Sequence, residues 1–283
     1  MAKIIFSVAL IPIVLVYIAD SRTCKNVGDK CKSNEDCTTG NCQERRCEYS
    51  PDTRTNVLKA SQHLRLGDMK RQPDVNTRSG ILPESYRWPY GTMPYELDPA
   101  FSSSELDLIF KSFRAIEKRT CVDFVERRKE KDWVYYERSK DKGCASDVGK
   151  QGGRQILNLS GADVEGGSDC FHESIIVHET LHALGFHHEQ NRHDRDEYVS
   201  INWDNIACPE QFNFYKDNLT SATTFGVPYD YVSIMHYEGN EGGIDPKLPT
   251  IIPKLAGIKV GGNRLSELDI VRINRMYKCI PPQ

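Results

Sequence analysis

The chain has 283 residues, 39% of them hydrophobic, with 37 Lys and Arg against 40 Asp and Glu. A net charge of −3 excludes the strongly basic balance of a dedicated nucleic-acid binder. A chain this long can bury a core without metal or disulfide staples, so its ten cysteines are surplus to folding. Their meaning depends on compartment: metal or redox work inside a cell, disulfides outside it.

The amino terminus decides the compartment. Met1-Ala2-Lys3 precedes an apolar run from Ile4 to Ile18, broken by Ser7 and Pro12 and followed by Ala19-Asp20-Ser21. The run falls short of the ~18 apolar residues of a spanning helix, and small residues at 19 and 21 suit a cleavage site. Residues 1–21 therefore read as a secretory signal peptide. No later stretch is apolar enough to span a bilayer, so the mature protein is expected to be secreted and extracellular, off the membrane, with oxidised cysteines.

Residues 22–48 form a cysteine-rich module. Cys24, Cys31, Cys37, Cys42 and Cys47 fall in a polar segment with almost no aliphatic side chains, so disulfides must hold it. A looped spacer and a toxin-like or receptor-binding unit both fit this spacing. Residues 49–78 are polar and basic, carry Pro51 and Pro73, and read as a linker or pro-segment. Trp88, Tyr90, Tyr95, Phe101, Phe110 and Phe113 then arrive in quick succession, and a folded domain is expected over 79–283.

In that domain Ser102 and Glu105 make a capping box, and Leu106, Ile109, Phe110, Phe113 and Ile116 recur at helical spacing up to about Thr120. Three β-prone runs follow, Cys121 to Val125, Trp133 to Tyr136 and Ile156 to Leu159, with glycine-rich turns at Gly152-Gly153 and Gly166-Gly167. Ser266 and Asp269 cap a last helix whose apolar side is Ile270, Val271, Ile273, Met276 and Tyr277.

The chemistry lies between Phe171 and Asp196, in FHESIIVHETLHALGFHHEQNRHDRD. Its aliphatic residues predict a buried helix with His178 and His182 four apart on one face, a spacing that brings two imidazoles to one zinc ion. Glu179, one residue along, can reach a metal-bound water. Gly185 can take positive φ and end the helix, so the chain turns back and delivers His188 as a third ligand. Three protein ligands leave one coordination position open, as catalysis requires. Zinc would make the water acidic and polarise a peptide carbonyl, with Glu179 as general base. H-E-x-x-H alone recurs by chance in about one such sequence per hundred; Gly185 and His188 make accident remote. His172, His187 and His193 read as supporting or solvent-facing residues.

H-E-x-x-H-x-x-G-x-x-H with a downstream methionine turn, here Ser233-Ile234-Met235-His236-Tyr237, is the metzincin pattern. Gly185 to Asp196, filling G-F-x-H-E-x-x-R-x-D-R-D, and Tyr229-Asp230-Tyr231 resemble the astacin family of zinc metalloendopeptidases over Ser79 to Gln283. The resemblance implies an α+β metzincin fold. An N-terminal twisted sheet with helices and an irregular C-terminal half would flank an active-site cleft. It implies Met235 as the floor beneath the zinc, and Tyr237 as a further ligand that swings away to stabilise the oxyanion. It pairs Cys121 with Cys279 and Cys144 with Cys170, and likens Gln155 to Leu159 to the edge strand that aligns substrate.

The same resemblance implies a zymogen. Gly67-Asp68 resembles the end of the inhibitory pattern, with Asp68 on the zinc; the aromatic position of that pattern is Arg65 here. The resemblance also implies Arg78-Ser79 as the activation site for a trypsin-like protease, and the new Ser79 amine would pair with Glu189. Ala145 stands where relatives often have Trp, and Arg264 is a candidate for a positive subsite. A protein or peptide substrate and a monomeric enzyme are expected. Of the glycosylation patterns at Asn158 and Asn218, only Asn218 is favoured, since Asn158 lies in the presumed substrate strand. Cys208 is outside the paired cysteines and the module count is odd, which makes Cys208 a candidate tether to the module. A competing reading makes the module the effector, a secreted binding protein, with the protease domain a vestigial carrier. Activity on plain peptides that a chelator abolishes would separate the two.

Overall fold

The computed structural model describes Gly80 and residues 83–141, 143–165, 167–217 and 223–279, plus two short strands further upstream. Those strands, β1 (Cys42–Gln43) and β2 (Arg46–Cys47), pair antiparallel. Asp68, Arg78, Ser79 and Asn218 lie outside the described residues.

Five strands make the main sheet: β3 (Thr92–Leu97), β4 (Asp123–Glu126), β5 (Trp133–Ser139), β6 (Cys144–Ala145) and β7 (Arg154–Ser160). Their order is β4-β3-β5-β7-β6, parallel except for β6, which runs antiparallel on β7. Alternation along the strands turns Val134 and Tyr136 of β5, and Gln155, Leu157 and Leu159 of β7, into the interior. Helices cover that face.

Helix α1 (Ser103–Glu117) starts at the expected box: Ser102 Oγ accepts from the Glu105 amide at 3.4 Å, and Glu105 Oε2 accepts from the Ser102 amide at 2.7 Å. Ile109, Phe113 and Ile116 are buried, and Phe113 stacks on Phe124 of β4 with centroids 4.3 Å apart. Helix α2 (Glu173–Leu184) joins the same core through Ile176, Val177 and Leu181, and is tied to the sheet where Tyr136 Oη meets Thr180 Oγ1 at 3.0 Å.

After α2 regular structure thins out. Short 3-10 turns and a two-stranded ribbon, β8 (Val199–Ile201) against β9 (Ile251–Pro253), enclose a second core of Val199, Ile206, Phe214, Tyr229, Tyr237, Ile251 and Val260. Helix α3 (Glu267–Met276) then returns to the first core through Ile273 and Met276. The Cys121–Cys279 disulfide fastens its end beside β4, and Cys144–Cys170 joins β6 to the segment before α2. This is the α+β architecture expected from the sequence, with an ordered first half and an irregular second.

One expectation is corrected. The 155–159 segment is not the sheet edge: β7 lies between β5 and β6, and β6 is outermost. Cys144 is bonded to Cys170, and the Gly143 amide donates to Ser160 Oγ at 3.1 Å, which holds β6 against β7. Asn158 Nδ2 donates to the Gly143 carbonyl at 3.1 Å.

Candidate metal centre

Helix α2 is buried almost all round: Ile176, Val177, Glu179, Thr180, Leu181, His182, Ala183 and Leu184 are all inaccessible. It ends at Gly185, whose φ of 107° only glycine adopts without strain, and the Phe186 amide returns to the Leu181 carbonyl at 3.0 Å. That reversal carries His188 back over the helix. The last carbonyls of α2 are claimed from both ends of the domain, by Trp88 Nε1 on Ala183 O at 2.8 Å and Tyr277 Oη on Leu184 O at 2.7 Å.

His178, His182 and His188 converge with their ligand atoms all within 4.8 Å of one another. Nε2 of His178 lies 3.1 Å from that of His182 and 3.3 Å from that of His188. Nδ1 of His178 donates to the Ile234 carbonyl at 2.7 Å, and Nδ1 of His182 to the Phe186 carbonyl at 2.6 Å. A carbonyl only accepts, so each of these rings carries its proton on Nδ1 and turns an Nε2 lone pair inward. Lone pairs aimed at a common point repel unless a cation lies between them. Tetrahedral zinc at ~2.0–2.1 Å from each nitrogen would set ligand nitrogens about 3.3 Å apart. The donor set therefore fits zinc.

Around the histidines the expected residues gather. Glu179, 2% exposed, lies on α2 between the two helical ligands. Met235 is buried, and its carbonyl accepts from the Glu189 amide at 2.8 Å, so the methionine turn is stitched to the chain just past His188. Tyr237 is buried with its ring 4.3 Å from that of His188, and its amide donates to Gln190 Oε1 at 3.0 Å. Beside it His236 is held down to about 4 by burial, so it is neutral, donating from Nδ1 to Tyr237 O and accepting at Nε2 from Tyr229 Oη.

Glu189 is buried against two guanidiniums, Arg192 at 3.0 Å and Arg272 at 2.8 Å, and accepts from the Asp230 amide at 2.8 Å. The expected partner, the Ser79 amine, is outside the described residues. Cys208 begins the 3-10 helix Cys208–Phe214 and is disulfide-bonded.

The sequence marks Asp269 only as a helix cap. Its Oδ2 indeed accepts from the Ser266 amide at 3.0 Å, but it also accepts from the Ile234 amide at 3.0 Å, while Oδ1 accepts from Ser233 Oγ at 2.6 Å. Since Ile234 O holds the His178 ring, one buried carboxylate links the cap of α3 to a histidine of the candidate metal centre. Burial pushes Asp269 up, with Arg272 and these hydrogen bonds opposing. The S-x-x-D signal marks the cap, but nothing local reveals the second set of partners 35 residues away.

A three-histidine centre on an H-E-x-x-H helix, closed by a methionine turn, is the layout of a metzincin zinc peptidase. The family model described as astacin, a peptidase family, matches residues 81–278, and the chain belongs to the astacin family. Among similar proteins is zinc metalloproteinase nas-7 of Caenorhabditis elegans, 35% identical over 214 residues, covering 74% of this chain and 53% of that protein. The astacin-like metalloendopeptidase of Gallus gallus is 37% identical over 225 residues, 78% of this chain and 52% of that one. The chain spans about half the length of these curated relatives. The solved structure of high choriolytic enzyme 1, a hatching enzyme zinc-protease from Oryzias latipes, superposes with a TM-score of 0.62 at 33% identity. It covers 76% of this chain and 100% of that one. Myroilysin, at 19% identity and a TM-score of 0.51, shares the fold.

Proposed function

We propose that the chain is a secreted zinc endopeptidase made as a zymogen. The observation that carries the zinc-peptidase reading is the convergence of three Nε2 atoms, two with their tautomer fixed, beside the buried Glu179. His178, His182 and His188 would hold zinc, which supplies a Lewis acid for the peptide carbonyl and makes water acidic near neutral pH. Glu179 takes the proton of the attacking water and delivers it to the leaving amine nitrogen. Tyr237 donates its phenolic proton to the developing oxyanion. The outer edge of β6 offers backbone groups to an extended peptide, in the manner of an added strand.

In the precursor Asp68 takes the water's position. A trypsin-like protease cuts after Arg78, and the freed Ser79 amine is drawn to Glu189, where it joins Arg192 and Arg272 around one carboxylate. Among the described residues no helix is long and apolar enough to cross a membrane. Asn218 carries the glycan.

The test treats the purified precursor with trypsin, quenches it, and offers a diverse peptide mixture with and without chelator, reading cleavage by mass spectrometry. Chelator-abolished cleavage is expected. Absence of cleavage by zinc-loaded protein with a free Ser79 amine would overturn the proposal and favour the binding-module reading.

A further inference from the structure

Cys208 is disulfide-bonded, yet its partner is none of the other cysteines of its domain. Cys121 is joined to Cys279 and Cys144 to Cys170. Of the ten cysteines in the chain, those that remain are Cys24, Cys31, Cys37, Cys42 and Cys47. We propose that Cys208 is bonded to one of these five, so that the cysteine-rich module stays covalently attached to the protease after cleavage at Arg78. The active enzyme is then two chains.

Parity supports the assignment. Five cysteines cannot all pair with one another, whereas the five together with Cys208 close as three bonds. In forming the tether, two thiols release two protons and two electrons. These pass by exchange to the disulfide of a thiol oxidoreductase, which leaves as the dithiol. A secretory compartment supplies that oxidant, and the inference rests on the secreted-zymogen reading to that extent.

The anchor point is not a loose loop. In the 3-10 helix Cys208–Phe214, Glu210 and Asn213 are buried and bonded to each other at 2.9 Å. Phe214 at its far end is fully buried with its ring 5.7 Å from that of Tyr237. A module held at Cys208 is therefore fastened to the C-terminal half, to the element that packs against Tyr237, and not to the β6 side. It is retained by a bond that the activating cut does not touch.

The experiment is disulfide mapping of the secreted full-length protein, digested without reduction and with thiols blocked. A peptide containing Cys208 linked to a peptide from residues 22–48, separating on reduction, is the expected result. Recovery of Cys208 as a blocked thiol, or linked to a second copy of itself, would overturn the tether. A second protein carries a specific protease site in place of residues 74–78. Once cut, it should keep the mass of the module without reductant and lose it with reductant, and Cys208→Ser should lose it in both. If Cys208→Ser is not secreted, the mapping of the unaltered protein decides alone. Chelator-sensitive cleavage of short peptides is read separately, so failure of the tether and failure of the peptidase reading are distinguishable.

Discussion

At the scale of single residues, the site depends on where a few protons sit. Carbonyls at Ile234 and Phe186 fix His178 and His182 as Nδ1–H tautomers, so both rings turn an Nε2 lone pair inward before any metal binds. Glu210 shows the opposite economy. Burial pushes its carboxyl up to about 7, with only partial relief from Asn213. Below about 4.5 the group is neutral in both folded and unfolded chains. Between about 4.5 and 7 the unfolded chain loses the proton and the folded one keeps it, so stability falls as pH rises through that window. Glu210→Gln removes the effect. Its unfolding free energy should match wild type near pH 4.5 and exceed it at pH 8 by on the order of 1–2 kcal/mol after allowance for solvent screening, with a melting temperature raised accordingly. A difference in melting temperature that does not change with pH would contradict this.

At the scale of elements, α2 is held at its C-terminal end by parts of the chain far from it. Trp88→Phe keeps an aromatic ring and removes the N–H that satisfies the Ala183 carbonyl, and should cost about 1–3 kcal/mol in urea unfolding. Asp269 acts from α3 through Ile234 on His178. Asp269→Asn should weaken zinc binding about 10- to 100-fold in a chelator competition, a loss typical when a metal ligand's outer partner is altered. Unchanged affinity would show that the methionine turn holds without it. These elements differ in how far the sequence foretells them. The ligand helix is legible because H-E-x-x-H and Gly185 are local: residues four apart share a face, and a positive φ of 107° needs glycine. Both capping boxes are legible for the same reason. The sheet edge is not, because a two-residue strand, Cys144–Ala145, has no periodicity to read and is fixed by a bond to Cys170. Asp269's reach to the methionine turn is equally hidden, since it depends on how α3 returns to the first core.

At the scale of the whole molecule, the Cys121–Cys279 disulfide and α3 bind an ordered half to an irregular one. The Cys121–Cys279 bond spans 158 residues and fixes the chain two residues past Tyr277, whose hydroxyl caps α2. Replacing both cysteines by Ser should lower stability by about 2–5 kcal/mol and loosen the ligand helix with it, read by thermal unfolding. The irregular half is the part least predictable from pattern, because 3-10 turns and a short ribbon carry no long period. Its aromatic content alone signals a second core around Tyr229 and Tyr237.

The central claim is that a zinc centre and Glu179 together hydrolyse peptides. Its most direct measurement compares activated wild type with Glu179→Gln on one peptide substrate, with zinc content determined for both. Equal zinc is expected, about one ion per chain as one three-histidine set requires, with a fall in kcat/KM of at least about 10²–10⁴-fold for the variant. Equal activity in the two proteins would contradict it.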